Sequence, residues 1–298
     1  NYPRGTSRRI AETISDVIER NGGKLIVNAG VSKILISGGK ARGVLMENGD
    51  KIISKNVISG VGAVNTFAKM VKGSSLKNIS IEKKLRNIKQ TKSYVCLHLG
   101  LKKSAKDLKL KNTNLWIYPG YDHDLSVKNY LDNPESEFPL VYVSFPSAKD
   151  DTWDEKHTNS TTIEAIVPSR MSWYSKWEEM EWKKRGKEYE AHKARLSKTI
   201  LDLIVKHVPN IKDSIDYQEL STPLTVRDLA NYSRGEIYGL DHSPKRFRER
   251  WLRPSSGIKH LFLTGQDITT VGVTSALFSG LLTASAVMKK DLSVLLKS

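Results

Sequence analysis

The residues best placed to do chemistry lie near the C-terminal end, in Phe262-Leu263-Thr264-Gly265-Gln266-Asp267 followed by Ile268-Thr269-Thr270-Val271-Gly272-Val273. A short apolar strand runs into a turn holding a single acid, Asp267, and an uncharged helical run continues from Ile268 to Met288. The start of a helix has unpaired N–H groups and partial positive charge, so this layout suits a polar, partly anionic ligand. Gly272, Ala276, Gly280 and Ala284 recur at every fourth position and make one face of small residues, with Ser275, Ser279 and Thr283 on the adjacent strip. Three other readings of the run stay open. It is uncharged and long enough to span a bilayer. It also fits a buried core helix with no ligand, or a helix packed on another through its small face. Its Ser, Thr and Gly content and the acid at its mouth weigh against a span.

A second group of candidates lies between Leu220 and His242, in Ser221-Thr222-Pro223-Leu224, Arg234-Gly235, Tyr238-Gly239 and Asp241-His242. Glycines beside Tyr and His occur in ordinary turns and where backbone passes close to a flat ring. Tyr238 and His242 are therefore candidate catalytic residues, with structural turn residues as the alternative. Spacing alone yields no Ser/His/Asp arrangement, and no His/Asp/Glu cluster has metal-ligand spacing, so no metal site is expected. The single cysteine, Cys96, excludes a disulfide within the chain and a cysteine metal site. In Tyr94-Val95-Cys96-Leu97-His98-Leu99 it reads as a small buried apolar residue. Gly60-Val61-Gly62 ends an apolar strand, where backbone can lie against a ligand. The third glycine of a G-x-G-x-x-G fingerprint would fall on Asn65, so this sequence holds no pyrophosphate-cradling turn of that kind.

These residues need elements to position them. Ser7 to Asn21 is predicted as a helix with Ile10, Ile14, Val17 and Ile18 on its apolar stripe and Asn21-Gly22-Gly23 as its stop. Strands are predicted over Lys24 to Val27, Val31 to Ser37, Ala41 to Met46 and Lys51 to Ser59, with turns at Gly38-Gly39 and Asn48-Gly49-Asp50. Further strands are predicted at Ser93 to Leu101, Asn114 to Tyr118, Leu140 to Phe145 and Thr161 to Val167. A long helical region, Arg170 to His207, carries Trp173, Trp177 and Trp182 and ends before Pro209. Four strands with helices on one face make an α+β unit inserted into another domain, which gives divisions at residues 1–72, 73–245 and 246–298.

The 298 residues suffice for one large domain or two ordinary ones. Lys and Arg number 48 against 32 Asp and Glu, for a net charge of +16. The basic residues are scattered, and no zinc-finger or RNA-binding signature accompanies them. They read as a solvated surface, with peripheral attachment to anionic lipid second and nucleic acid last. No signal peptide is visible after Asn1, and the abrupt start leads to the expectation of an upstream part.

Taken together, Tyr2-Pro3-Arg4-Gly5, the stretch from Gly22 to Val31, Gly43-Val44, Asn48-Gly49, Val57-Ile58-Ser59, Thr222-Pro223, Tyr238-Gly239 and Leu263-Thr264-Gly265-Gln266-Asp267 resemble the superfamily of FAD-dependent phytoene desaturases and carotenoid isomerases. Within it, Phe145-Pro146-Ser147-Ala148-Lys149-Asp150 followed by Thr152-Trp153 is similar to the retinol saturases. The resemblance covers essentially the whole chain. It implies an α/β fold: the C-terminal part of a two-domain FAD/NAD(P)-binding, Rossmann-like oxidoreductase with an inserted α+β substrate domain. It implies FAD as cofactor, with the backbone at Val31 near the adenine, Asp267 at the flavin–diphosphate end, and Val271, Gly272 and Val273 at the helix start beside the flavin pyrimidine ring. Gly60 and Gly265 are the accompanying close-approach positions. Tyr2 to Gly5 and Arg234 to Tyr238 resemble segments near the reactive face of the flavin, although Thr6 stands where the family often has a second glycine. The implied activity is reduction of a C=C bond of all-trans-retinol or a related isoprenoid, with NAD(P)H as a candidate electron donor. A carotenoid desaturase or isomerase, and a non-catalytic lipid-binding protein with a degenerate cofactor site, are the alternatives. The implied location is a membrane surface, at the endoplasmic reticulum if animal-like or the cytoplasmic membrane if bacterial. With the phosphate cradle outside this sequence, FAD binding by these residues alone is expected to be weak or nil.

Overall fold

Period-two alternation sets the largest sheet. From Ser93 to Leu101 every second side chain is buried, and the same holds from Thr161 to Ser169. Strands with that pattern bury one face and leave the other for a different use. The computed structural model describes residues 2–71, 81, 84–85 and 87–296. In chain order these form α1 (Arg8–Arg20), β1 (Val31–Ser37), β2 (Lys40–Met46), β3 (Lys51–Ile53), β4 (Val57–Ser59), β5 (Ser93–Leu101), β6 (Leu115–Ile117), α2 (His123–Asp132), β7 (Val141–Ser144), β8 (Thr161–Ser169), α3 (Gly186–His207), β9 (Ile215–Ser221), α4 (Pro223–Ala230), β10 (Leu261–Leu263) and α5 (Val273–Met288), with shorter helical turns between.

The chain divides into two units. The first joins the residues up to Leu25 to Lys92–Glu236. Its sheet has the order β6-β7-β8-β5-β9, with every neighbouring pair antiparallel. One face supplies Val95, Leu97, Leu99, Ile163, Ala165 and Val167 to a core completed by Ile200 and Ile204 of α3. Burial of each such Leu or Ile side chain contributes about 1.5–3 kcal/mol relative to exposure. The second unit joins Ile26–Thr91 to Ile237–Ser298. It holds the antiparallel sheet β1-β2-β3 and the parallel pair β10-β4. Its core gathers Ile34, Val57, Phe67, Leu240, Leu261 and Leu263.

The compact units divide after Leu25, Thr91 and Glu236, with α1 grouped with the sheet of the first unit, whereas the sequence reading sets divisions at 72 and 245; Lys72 and Gly73 themselves lie outside the described residues. Several expected elements are corrected. Lys24 to Val27 is not a strand, because no backbone among the described residues pairs with it, and Leu25, Ile26 and Val27 are exposed. The single strand predicted from Lys51 to Ser59 is two. The chain turns at Ser54 and Asn56, where the Ser54 hydroxyl donates to the Asn56 carbonyl, and β4 leaves β3 to pair with β10. The inserted sheet has a fifth strand, β9, that alternation did not reveal. The helical region from Arg170 breaks into a 3₁₀ turn at Met171–Trp177 and α3, which opens at Gly186 with φ of +79°. No helix of the described residues is long and apolar enough to cross a membrane.

Candidate functional site

The sequence candidates of the second unit converge on the carboxyl ends of its two parallel strands. β4 stops at Ser59 and β10 at Leu263, in register with each other. Gly60 and Gly265 follow directly, at the place where open α/β sheets receive ligands. Asp267 sits just beyond, 5 % exposed. One carboxylate oxygen accepts from Ala63 N at 2.8 Å and the other from Leu240 N at 3.0 Å. A residue expected to face a ligand thus also ties together three chain segments. Gly239 is required beside it: its φ is +64°, and a Cβ there would lie 2.3 Å from the Asp267 oxygen.

Arg246 braces the same turn from behind. It is 2 % exposed, and its guanidinium donates to the carbonyls of Thr269, Gln266 and Asp267 at 2.7, 2.8 and 2.7 Å. Five donors in a fixed fork suit it to capping carbonyls left over at a turn. Its Nε and the Nε2 of His242 are buried without a hydrogen-bond partner among the described residues. Burial first, and then the Arg246 charge, pushes the His242 imidazole below its ordinary value, so it is neutral at physiological pH. Tyr238 is exposed in the loop leading to Gly239.

The helix at this site starts later and docks differently than its sequence suggests. A 3₁₀ turn occupies Gln266–Ile268, and α5 begins at Val273, capped by Gly272 with φ of +96°. Its small-residue strip is not the packed face; Gly272 and Gly280 are exposed. The buried positions are Ser279 and Thr283. The Ser279 hydroxyl accepts from Gly265 N at 2.7 Å, and the Thr283 hydroxyl donates to Leu263 O at 2.8 Å. The helix is thus held against β10 by hydroxyls that satisfy strand-end backbone. Val271, Gly272 and Val273 are left at the open start of α5, with Gly272 and Val273 exposed. Val31 stands apart from this group, at the first position of β1 opposite Met46.

The first unit holds a polar cluster that residue spacing did not reveal. His98 on β5 lies opposite Glu164 on β8. His98 Nε2 is 3.1 Å from Ser221 Oγ, and Nδ1 is 3.7 Å from Glu164 and 3.9 Å from Cys96 Sγ. Cys96 is half-buried on this polar side, not in the core as its sequence context suggests. The Phe145 to Trp153 run gains a structural meaning: Asp150 accepts from Gly5 N at 3.0 Å and from the Thr152 hydroxyl at 2.7 Å, which fixes the Tyr2-Pro3-Arg4-Gly5 turn. Lys149 donates to Ser144 at 2.9 Å and lies over the Tyr2 ring at 5.8 Å. The signal for the cluster was the polar half of the β5 and β8 alternation; the register that joins it to β9 was not visible. Among the described residues no group of three His, Cys, Asp or Glu could hold a metal ion.

No family model matches the chain. It is 31 % identical to the all-trans-retinol 13,14-reductase of Macaca fascicularis over 302 residues, covering 98 % of this chain and 50 % of that protein. A Danio rerio protein named inactive all-trans-retinol 13,14-reductase is 29 % identical with the same coverage of each, 98 % and 50 %. The prolycopene isomerase of Arabidopsis thaliana is more distant, 25 % identical over 96 % of this chain and 45 % of its own. The chain therefore spans about half the length of the curated relatives it matches. Among solved structures, an oxidoreductase from Methanosarcina mazei superposes with a TM-score of 0.58 at 14 % identity, over 97 % of this chain and 55 % of that one. A triple mutant of putrescine oxidase gives 0.57 at 11 % identity, over 96 % and 53 %. Along 98 % of its length the chain is thus similar in sequence to the all-trans-retinol 13,14-reductases, and its α/β fold is the FAD/NAD(P)-binding oxidoreductase fold expected from the sequence.

Proposed function

We propose that this chain supplies part of an FAD-dependent oxidoreductase that reduces a C=C bond of all-trans-retinol or a related polyene. The similarity to retinol reductases along nearly the whole chain carries the reading. The residues of the second unit fit one end of such a cofactor. Gly272 has positive φ and open space where a Cβ would be, so a flat ring can lie against its backbone. The exposed start of α5 offers unpaired N–H groups that favour developing negative charge by up to about 2 kcal/mol. His242 Nε2 and Arg246 Nε are buried polar atoms with no partner among the described residues.

Bound FAD would supply hydride exchange with carbon. This chain's residues would bind and orient it. Gly60 and Gly265 keep the strand ends free of side chains, Asp267 and Arg246 hold the intervening turn rigid, and Val271, Gly272 and Val273 present the helix start. Val31 would offer backbone to the adenine. NAD(P)H is the candidate electron donor. The +16 charge supports docking on an anionic lipid surface, where a polyene alcohol partitions.

The Danio rerio relative named inactive favours a second reading, a lipid-binding protein without catalysis. Purification of the full-length protein separates the two. Oxidised-flavin absorption together with dihydroretinol formed from retinol supports the enzyme. A flavin-free protein that cannot be reconstituted removes it. Conversion of prolycopene or phytoene in place of retinol moves the reading to an isomerase or desaturase.

A further inference from the structure

The basic residues are scattered along the sequence, but their excess is not shared between the units. The first unit holds 27 Lys and Arg against 25 Asp and Glu, a net +2; the second holds 21 against 7, a net +14. A charge asymmetry of that size within one chain points to an anionic partner for one part of it. In the first unit Lys102, Lys128, Lys176 and Lys198 each sit against a carboxylate, of Asp216, Asp132, Glu188 and Asp202 in turn. The second unit has few acids to spend in this way.

Four of its cations gather where β2, β4 and β10 begin. Ala41 N donates to Lys259 O, Ser54 N to Arg42 O and Val57 N to His260 O, each at 2.9 Å. These three backbone bonds lace together the segments that carry Lys40, Arg42, Lys55 and Lys259. Ala41 is fully buried between Lys40 and Arg42, so alternation along β2 turns both of those side chains outward. Arg42, Lys55 and Lys259 are exposed, and Lys40 is half-buried. None of the four is in an ion pair among the described residues.

His260 lies among them and registers their field. Partial burial first, and then Lys259, Lys40, Arg42 and Lys55, hold its imidazole below the ordinary value. No carboxylate is among those influences. Its Nδ1 is engaged with Asn56 Oδ1 at 3.1 Å.

The place of the patch separates the possible anionic partners. The diphosphate of a dinucleotide is received at the carboxyl ends of parallel strands. The patch lies at the other end of β4 and β10, before Val57 and Leu261, whereas Gly60, Gly265 and Asp267 follow those strands. A surface for single-stranded nucleic acid adds aromatic side chains on which bases stack. Here the exposed apolar group beside the cations is aliphatic: Ile53, 72 % exposed and two residues before Lys55. Cations next to an exposed aliphatic side chain match a membrane interface, where anionic headgroups overlie hydrocarbon. We infer that Lys40, Arg42, Lys55 and Lys259, with Ile53 at their edge, form the face by which the protein docks on anionic phospholipid. The assignment rests on the lipid-surface part of the reading above and gives it a location.

Each Lys or Arg near an anionic membrane raises partitioning roughly fivefold, so four together amount to several hundredfold. The attraction weakens as the Debye length falls from about 10 Å at 0.1 M salt to about 3 Å at 1 M.

Co-sedimentation of the full-length protein with vesicles of phosphatidylcholine alone, or mixed with phosphatidylserine, tests the assignment. One variant carries Lys40→Gln, Arg42→Gln, Lys55→Gln and Lys259→Gln. A second carries Lys102→Gln, Lys128→Gln, Lys176→Gln and Lys198→Gln, the same change in net charge placed in the first unit. A third, with Lys40→Arg, Lys55→Arg and Lys259→Arg, keeps the charge of the patch. The wild type, the second variant and the third are expected to bind the mixed vesicles and to leave them at about 1 M salt. The first is expected to bind about a hundredfold or more weaker, with its unfolding midpoint unchanged. Equal binding by the first and second variants overturns the patch while the lipid-surface reading stands. Wild-type binding that resists salt, or is as strong on phosphatidylcholine alone, overturns it as well. A wild type that binds neither vesicle removes the lipid-surface reading and the patch with it. Preference of the wild type for a single-stranded RNA over the mixed vesicles, lost in the first variant, overturns the lipid assignment of this face.

Discussion

Replacement of Asp267 by Asn is the sharpest probe of the site. The carboxylate accepts two backbone N–H bonds, from Ala63 and Leu240, inside a turn that is 5 % exposed at Asp267. Each bond to a charged acceptor contributes about 1.5–3 kcal/mol, and a buried donor left unpaired costs about 1–3 kcal/mol. The Asn side chain keeps one acceptor oxygen and turns an NH₂ toward the other donor. One of the two bonds is lost, so the expected cost is about 2 kcal/mol. Asp267→Ala loses both and costs roughly twice that. Amide hydrogen exchange on the full-length protein resolves the loss by residue. Whichever of Ala63 and Leu240 loses its acceptor should exchange about thirty-fold faster in Asp267→Asn, since about 1.4 kcal/mol is a factor of ten. Asp151→Asn, which breaks an exposed pair with Arg4, serves as the control and should leave both amides unchanged. If both amides stay as protected in Asp267→Asn as in the wild type, the carboxylate does not pair with them and the account of the turn is wrong.

Other expectations follow from the same geometry. Gly239→Ala forces a Cβ against Asp267 at positive φ and should lower stability by about 1–3 kcal/mol in urea unfolding. Gly280→Ala, on an open stretch of α5, should raise it by about 0.5–1 kcal/mol. Ser279→Ala removes the acceptor for Gly265 N and should cost about 1–2 kcal/mol, visible as faster exchange at Gly265. The His98–Glu164 pair makes stability pH-dependent. The raised imidazole contributes fully below its ordinary value of about 6.5 and loses that contribution as pH rises toward 10. The lowered Glu164 contributes above its ordinary value of 4.5 and loses it as pH falls. The difference in unfolding midpoint between wild type and Glu164→Gln should therefore be largest near pH 5–6.5 and fade on both sides; a difference independent of pH would show that the pair does not interact.

Sequence and structure agree where local pattern decides the outcome. β5 and β8 alternate residue by residue, so their core faces could be read directly. β9 is an edge strand, Ile215-Asp216-Tyr217-Gln218-Glu219-Leu220-Ser221, with one buried side chain, and such a run has no period to read. Lys24 to Val27 has strand composition but no partner among the described residues, and pairing is a property of the whole fold. The helix after Asp267 was visible, yet its packing was inverted. Small residues suggested close approach, whereas buried Ser279 and Thr283 make the contact because strand-end backbone needed hydrogen bonds. The bonds of Asp267 and the His98 cluster both join residues distant in sequence, so residue types could suggest chemistry there but not geometry.

The bond between Ala63 and Asp267 spans 204 positions along the chain. Contacts of that range carry a loop-closure entropy and are slow to arrive. The turn beside β10 therefore matures late. The β5–β8–β9 sheet is encoded wholly between those two residues, so its compaction shortens the span of free chain that the carboxylate bond must close. Damage to a distant strand would then surface as slow maturation of this turn in freshly made protein, with every residue of the turn intact.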